Sequence, residues 1–240
     1  MPKPNSDKMN KLAIVIPVYN ESQIISTVIN DWITCLNNSG IPADIHLYND
    51  GSTDNTLDEL AAFKNNDSVF IHDKQNSGHG PTILKGYRDN SSYEWIFQID
   101  SDNEMSPDNF EQFWIKRSNY DILLGSRSQR SQTFIRKMIS LVSRLSIRIF
   151  YGSGIWDVNA PYRLMRGSVL SNQILRIPTD TFAPNVIISG LMCKENRRVM
   201  EIPLPHNERT TGEVSLRKFR LFMAAFKSFL QIILFRIKYL

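Results

Sequence analysis

The sequence predicts an α/β protein with a mostly parallel, doubly wound central sheet and helices on both faces. Three observations predict it. Short apolar runs recur along the first hundred residues, segments with a helical stripe separate them, and successive runs end in turn-formers and carboxylates. Strands that alternate with helices pack as a parallel sheet with right-handed crossovers. In such sheets ligands bind beyond the carboxyl ends of the strands.

KLAIVIPV (11–18) reads as a short buried strand that runs into a turn at Tyr19-Asn20-Glu21. Residues 22–37 then place Ile25, Val28, Ile29, Trp32, Ile33 and Leu36 on one helical stripe. ADIHLYN (43–49) is a second strand, TLDELAAFK (56–64) a helix and SVFIHD (68–73) a third strand. NSGHGPTILKGYRDN (76–90) is a glycine-rich loop feeding a helix, and YEWIFQID (93–100) is a fourth strand ending in acids. Beyond residue 105 the rhythm changes. SPDNFEQFWIKR (106–117) reads as helix, YDILLGSR (120–127) as strand and FIRKMISLVSRLSIRIF (134–150) as one or two amphipathic helices. WDVNAPYRLMR (156–166) and RRVMEIPLPHNER (197–209) bracket a further helix near 182–195. No linker separates the halves, so one shared core is expected. The polar first ten residues are expected to be a disordered tail.

Composition narrows the class. The chain has 240 residues, 42% apolar and 22% charged, enough for a sizeable core. Cys35 and Cys193 form no CxxC pair, which argues against a disulfide framework or zinc knuckle and predicts a reducing compartment. No run of about 18 apolar residues is present, so no bilayer span is expected. The net charge of +4 is unevenly spread. Segments 126–150 and 216–240 each hold six basic residues and no acid, leaving 16 basic against 24 acidic residues elsewhere, a net −8. That asymmetry points to an anionic partner such as a membrane surface or a phosphate. Nucleic acid would account for the basic segments but not for acids at three strand ends. Within the tail, Leu216, Phe219, Met223, Phe226, Leu230, Ile233, Ile237 and Leu240 form an apolar stripe. Residues 216–240 are expected to form a basic amphipathic helix of about 37 Å lying in a membrane interface. Packing on its own domain, or on a twin chain in a homodimer, is the alternative.

The chemistry gathers at the strand ends: Tyr19 to Glu21, Asp50 with Asp54, and Asp100-Ser101-Asp102-Asn103-Glu104. Alternate carboxylates after a buried strand are costly unless they meet a cation or donors. Oxygen-only ligands favour Mg²⁺ or Mn²⁺ held by one or two carboxylates together with substrate phosphates. The metal candidates are Asp100, Asp102 and Glu104. Helix capping by Asp100 or Asp108 is the structural alternative. His79 is a candidate for diphosphate contact or a solvent-facing loop residue, His46 and His72 read as structural, and Trp95 and Trp114 as core.

IPVYNE (16–21), NDGSTDNT (49–56), NSGHGPTILKGY (76–87), QIDSDNEMSP (98–107) and GSR (125–127) resemble, in order, the motifs of family 2 glycosyltransferases. The resemblance implies a GT-A fold over residues 11–215, a nucleotide-sugar donor (a GDP- or UDP-sugar) and a divalent metal. Residues 11–104 would form the donor half and 105–215 the acceptor half. Tyr19 would stack on the base, Asp50 would hydrogen-bond it, and Asp102 would hold the metal and be catalytic. Pro17, Glu21, Gly78, Lys85, Asp100 and Ser101 would complete the donor site. Asn49 stands where many relatives carry an aspartate. The second half resembles the dolichol-phosphate mannose synthase branch, through GSR, RKMIS (136–140), DVNAPYRLMR (157–166) and EIPLPHNERTTGEVS (201–215). This implies a polyprenyl-phosphate acceptor bound by Arg127, Arg136, Ser140, Arg209 and Ser215, with Arg127 also catalytic. A phosphate oxygen is already a nucleophile, whereas a sugar hydroxyl would need a base, for which Asp157 is the candidate. A peripheral enzyme on the cytoplasmic membrane face is expected. The alternatives are a glycan-directed transferase of the same family and a non-catalytic nucleotide-sugar-binding membrane adaptor.

Overall fold

The computed structural model describes residues 12–127, 141, 145, 148, 149, 151, 152, 155–205, 229–231 and 233–237. Its centre is a seven-stranded sheet in the order β3-β2-β1-β4-β6-β5-β7. The strands are β1 (Leu12–Val18), β2 (Ala43–Asn49), β3 (Val69–Asp73), β4 (Trp95–Gln98), β5 (Ile122–Arg127), β6 (Arg163–Arg166) and β7 (Val199–Leu204). All pair in parallel except β6, which runs antiparallel to both β4 and β5. The sheet is thus mostly parallel, as the alternating pattern requires, with one reversed strand joining the two halves.

Among the described residues, the helices that cover it include α1 (Ile25–Ser39), α2 (Thr56–Ala61), α3 (His79–Asp89), α4 (Phe110–Lys116), α5 (Gly167–Ile174) and α6 (Pro184–Lys194). Side chains alternate across a strand, and β1 divides them accordingly. Leu12, Ile14, Ile16 and Val18 enter one apolar cluster with residues of α1, α2 and α4, whereas Ala13 and Val15 enter a second with α3, α5 and α6. β1 is apolar without interruption because both its faces are covered.

Aromatic packing welds the halves together. Phe97 of β4 meets Trp32 of α1 at 5.2 Å and Tyr162, just before β6, at 4.6 Å between ring centroids. Such pairs add about 0.5–1.5 kcal/mol each beyond area burial. β6, β7 and α5 were not assigned from sequence. Arg163 is the reason β6 hides: it opens a strand that reads as polar, yet it is fully buried. Its guanidinium donates to the carbonyls of Ala160 (2.7 Å), Asn185 (3.2 Å) and Val158 (3.3 Å), which makes that burial tolerable. Residues 229–231 and 233–237 of the tail are helical, and Phe235 is buried in the same cluster as α6. The tail helix therefore packs on its own domain through Phe235 while Leu230, Leu234 and Ile237 remain exposed. The N-terminal tail expectation lies outside the described residues.

Candidate functional site

The carboxyl ends of β1, β2 and β4 open into a cleft of about 590 Å³. Pro17, Tyr19, Glu21, Asp50, Gly78, Asp100, Ser101 and Asp102 all line it. The fold thus gathers eight sequence candidates drawn from four separate segments. Asn76, His79, Thr82 and Phe182 line it as well.

The loops after β1 and β2 are laced together. Asn20 accepts the Thr53 amide (2.8 Å), its own amide donates to Ser52 Oγ (3.0 Å), and the Glu21 amide donates to Thr56 Oγ1 (2.9 Å). Asp54 accepts from the Thr56 amide at 3.0 Å and the Ser22 amide at 3.2 Å, so it stitches the loops instead of facing the cleft. This lacing presents Tyr19 at the cleft, 46% exposed.

Asp50 is buried and fixes the glycine-rich loop from beneath. Its carboxylate accepts the backbone amides of Ser77 (2.8 Å) and Gly78 (2.9 Å) and pairs with the Lys74 ammonium. Those donors balance the cost of the buried charge. The neighbouring Gly51 sits at φ 66°, and a Cβ there would lie 2.8 Å from the Asn76 amide nitrogen. The turn is closed so tightly by this loop that only glycine fits. Lys74 was missed from sequence; a lone lysine past a short strand carries no signal of its own.

Asn49 donates to Asp73 Oδ1 at 2.7 Å, while its own Oδ1 accepts the Ser52 hydroxyl at 2.6 Å. An aspartate at position 49 would instead face a second carboxylate, which gives the asparagine a local electrostatic reason.

On the cleft floor, Asp100 Oδ1 takes the Gln98 amide at 3.0 Å and the His79 ring Nε2, also at 3.0 Å. Desolvation by the cleft walls opposes protonation of His79. Its side chain is still 59% exposed, however, and the charge and hydrogen bond of Asp100, joined by Asp102 and Asp50, prevail. Its pKa is raised above the ordinary histidine value.

Glu104 does not join the other two acids. Asn103 turns the chain at φ 55°, the Glu104 amide bonds back to Asp102 Oδ1 at 3.2 Å, and Glu104 does not line the cleft. Among the described residues, no three His, Cys, Asp or Glu side chains form a metal cage, so the expected Asp100–Asp102–Glu104 set is reduced to two. Two oxygen-only carboxylates remain at the floor, a donor set that fits a hard divalent cation completed by water and phosphate oxygens.

Three other candidates stand apart. Lys85 lies more than one turn into α3 and pairs with Asp89 at 2.8 Å instead of lining the cleft. Asp157 is held by its amide, which donates to Glu201 Oε1 at 2.9 Å, and it does not line the cleft either. Arg127 ends β5 opposite Leu204 of β7. Arg136, Ser140, Arg209 and Ser215 lie outside the described residues. Phe182 reaches the cleft because the 181–182 backbone crosses directly over the first turn of α3. A Cβ on Gly80 would come within 2.1 Å of the Phe182 carbonyl oxygen. No sequence pattern announces that crossing.

Residues 13–176 match the family model described as glycosyl transferase family 2. Among solved structures, glucosyl-3-phosphoglycerate synthase from Mycobacterium tuberculosis, in complex with phosphoglyceric acid, superposes with a TM-score of 0.69 at 14% identity. The match covers 94% of this chain and 80% of that one. The same synthase has also been solved with Mn²⁺, UDP-glucose and glycerol 3-phosphate. Mannosyl-3-phosphoglycerate synthase from Rubrobacter xylanophilus gives a TM-score of 0.67 at 11% identity, covering 92% of this chain and 72% of that one. S. aureus TarS 1-349 gives 0.54 at 16% identity, covering 92% and 71% respectively. At these identities the structural likeness establishes the fold.

Proposed function

The chain belongs to glycosyl transferase family 2, and on that premise we propose that it moves a sugar, with inversion, from a UDP- or GDP-sugar to a polyprenyl-phosphate acceptor. The observation that carries the donor half is the single cleft in which Tyr19, Asp50, Asp100 and Asp102 converge at three strand ends. The exposed Tyr19 ring is free to stack on a base. Asp50 already accepts three donors, so of about four lone-pair sites one remains for the nucleoside. Asp100 and Asp102 would hold Mg²⁺ or Mn²⁺, which when bound neutralises charge on the departing nucleoside diphosphate. The structural relatives solved with Mn²⁺ and UDP-glucose support that choice. His79 stands beside the same floor, its ring Nε2 3.0 Å from Asp100 Oδ1.

The acceptor half rests on charge. An anionic acceptor approaching an anionic donor is repelled by a few kcal/mol per charge pair at about 6 Å and an effective dielectric near 20. The acid-free segment 126–150, which begins at the end of β5, would offset that repulsion. Arg127, Arg136, Ser140, Arg209 and Ser215 are the proposed phosphate contacts. A phosphate oxygen needs no general base, which agrees with Asp157 lying off the cleft lining.

A peripheral seat on an anionic membrane surface accompanies this acceptor. Leu141, Leu145 and Ile149 are 43%, 45% and 73% exposed, and Leu230, Leu234 and Ile237 are 41%, 62% and 77% exposed. Both sets fall on helical residues within the two acid-free segments. Among the described residues, no helix is long and apolar enough to cross a membrane.

The test offers UDP- and GDP-sugars with Mn²⁺ to three acceptors: polyprenyl phosphate in vesicles, 3-phosphoglycerate and a neutral glycan. A charged glycolipid product is expected. Transfer to phosphoglycerate or to the glycan alone would replace the lipid acceptor, and transfer to the glycan abolished by Asp157→Asn would make Asp157 the base.

A further inference from the structure

Behind the cleft floor lies a buried polar network that links α6 to Asp100. Gln98 and Tyr87 are fully buried, and Asn185 is 3% exposed. Gln98 Oε1 accepts Asn185 Nδ2 at 2.9 Å and faces the Tyr87 hydroxyl at 3.3 Å. The Tyr87 hydroxyl donates to Asn185 Oδ1 at 2.8 Å. Gln98 Nε2 then donates to Asp100 Oδ1 at 3.0 Å. The antiparallel register sets Arg163 directly opposite Gln98, and the Arg163 guanidinium holds the Asn185 carbonyl at 3.2 Å.

The chemistry allows only one orientation of the Gln98 amide. A carboxylate only accepts hydrogen bonds, so the Gln98 NH₂ must face Asp100 and its oxygen must face the interior. Asn185 Nδ2 supplies the donor that this inward oxygen needs. A flipped amide would aim its oxygen at Asp100 and leave buried groups unpaired, a costly state in a low-dielectric interior. A surface aspartate would choose among rotamers; this one is steered by a neighbour that cannot turn.

We propose that Gln98 is a positioning residue. Seated by Asn185, it fixes the Asp100 carboxylate in the orientation that receives the divalent cation and the donor diphosphate. The control thus comes from α6 and the reversed strand β6, in the second half of the chain, through contacts that never touch ligand. This inference rests on the metal-dependent donor site proposed above.

The experiment uses the full chain with UDP and Mn²⁺ as probes. Calorimetry measures UDP affinity without metal and Mn²⁺ affinity in the presence of UDP, and thermal melting reports the fold. Gln98→Met keeps the length of the side chain and removes its polar atoms. Asn185→Ala leaves Gln98 in place and removes its inward donor. Loss of a partner behind a metal ligand commonly weakens metal binding about 10–100-fold. Gln98→Met should fall in that range and Asn185→Ala should move the same way by a smaller factor, with metal-free UDP affinity unchanged in both. If Gln98→Met does not fold, Asn185→Ala decides. Wild-type Mn²⁺ affinity in the folded variants would overturn the positioning role, as would an equal loss of metal-free UDP binding. Absence of Mn²⁺-dependent UDP binding in the unaltered protein would instead overturn the donor-site reading itself.

Discussion

At the scale of single residues, the acids of the strand ends differ in what holds them. Asp102 lines the cleft within the loop after β4, so Asp102→Asn should abolish Mn²⁺-dependent transfer and leave stability within about 0.5 kcal/mol. Turnover and urea unfolding measured on the same preparation check both halves of that statement. Asp50 is different because it carries the glycine-rich loop. Asp50→Ala should weaken nucleotide binding and also cost about 1.5–3 kcal/mol, the range for hydrogen bonds to a charged group. Asn49→Asp tests the local logic of the NDG turn. It sets two carboxylates where Asn49 Nδ2 now donates to Asp73 at 2.7 Å, and should destabilise by about 1–3 kcal/mol. Adding Asp73→Asn should recover most of that loss in a double-mutant cycle. Equal destabilisation in the single and double variants would mean that the pair is not the cause.

At the scale of elements, the reversed strand β6 and the edge strand β7 are fastened by one aspartate at the start of β5. The backbone amide of Asp121 donates to the Arg198 carbonyl at 2.8 Å, and its carboxylate accepts from the Arg198 amide (3.0 Å) and guanidinium (3.1 Å). Arg166 on β6 approaches the same carboxylate at 3.7 Å. Burial by itself would raise the Asp121 pKa, but the hydrogen bonds and charge of Arg198, aided by Arg166, outweigh it and hold the pKa below the usual carboxylate range. A carboxyl group depressed in the folded state stabilises the fold above its unfolded pKa, near 3.9. That contribution disappears as pH falls through the lower folded value. Asp121→Asn should therefore lower the melting temperature at pH 7 and flatten the loss of stability below about pH 4. Melting curves recorded from pH 7 down to pH 2.5 would reveal it. Parallel wild-type and variant profiles would assign the acid lability elsewhere.

For the whole molecule, the tail helix belongs to the domain through Phe235 and presents an apolar surface through Leu230, Leu234 and Ile237. Deleting the tail would thus confuse two effects, since loss of a buried phenylalanine side chain alone costs about 3–5 kcal/mol. Leu234→Glu with Ile237→Glu separates them. The melting temperature should hold, while binding to anionic vesicles at low salt falls and wild-type binding is released by salt. Unaltered flotation of the double variant would locate the membrane contact elsewhere, with Leu141, Leu145 and Ile149 next to be tested. Much of this protein is legible in its sequence. The alternation of apolar runs with striped helices determines β1 to β5 and α1 to α4, because burial on two faces or one leaves a period that needs no neighbour to interpret. The acids that end those strands mark Asp50, Asp100 and Asp102, since a carboxylate after a buried strand demands a partner. Tertiary structure decided what depends on distant company. Arg163 can be buried within β6 because the Asn185 carbonyl of α6 joins the nearby carbonyls of Ala160 and Val158 around its guanidinium. Lys74 matters because a turn brings it to Asp50. Glu104 stands off the cleft lining because Asn103 turns the chain. Phe182 enters the cleft because Gly80 lets a backbone from a hundred residues away cross α3. Period and charge are local properties written along the chain, whereas long-range hydrogen bonds and backbone crossings exist only once the sheet has closed around them.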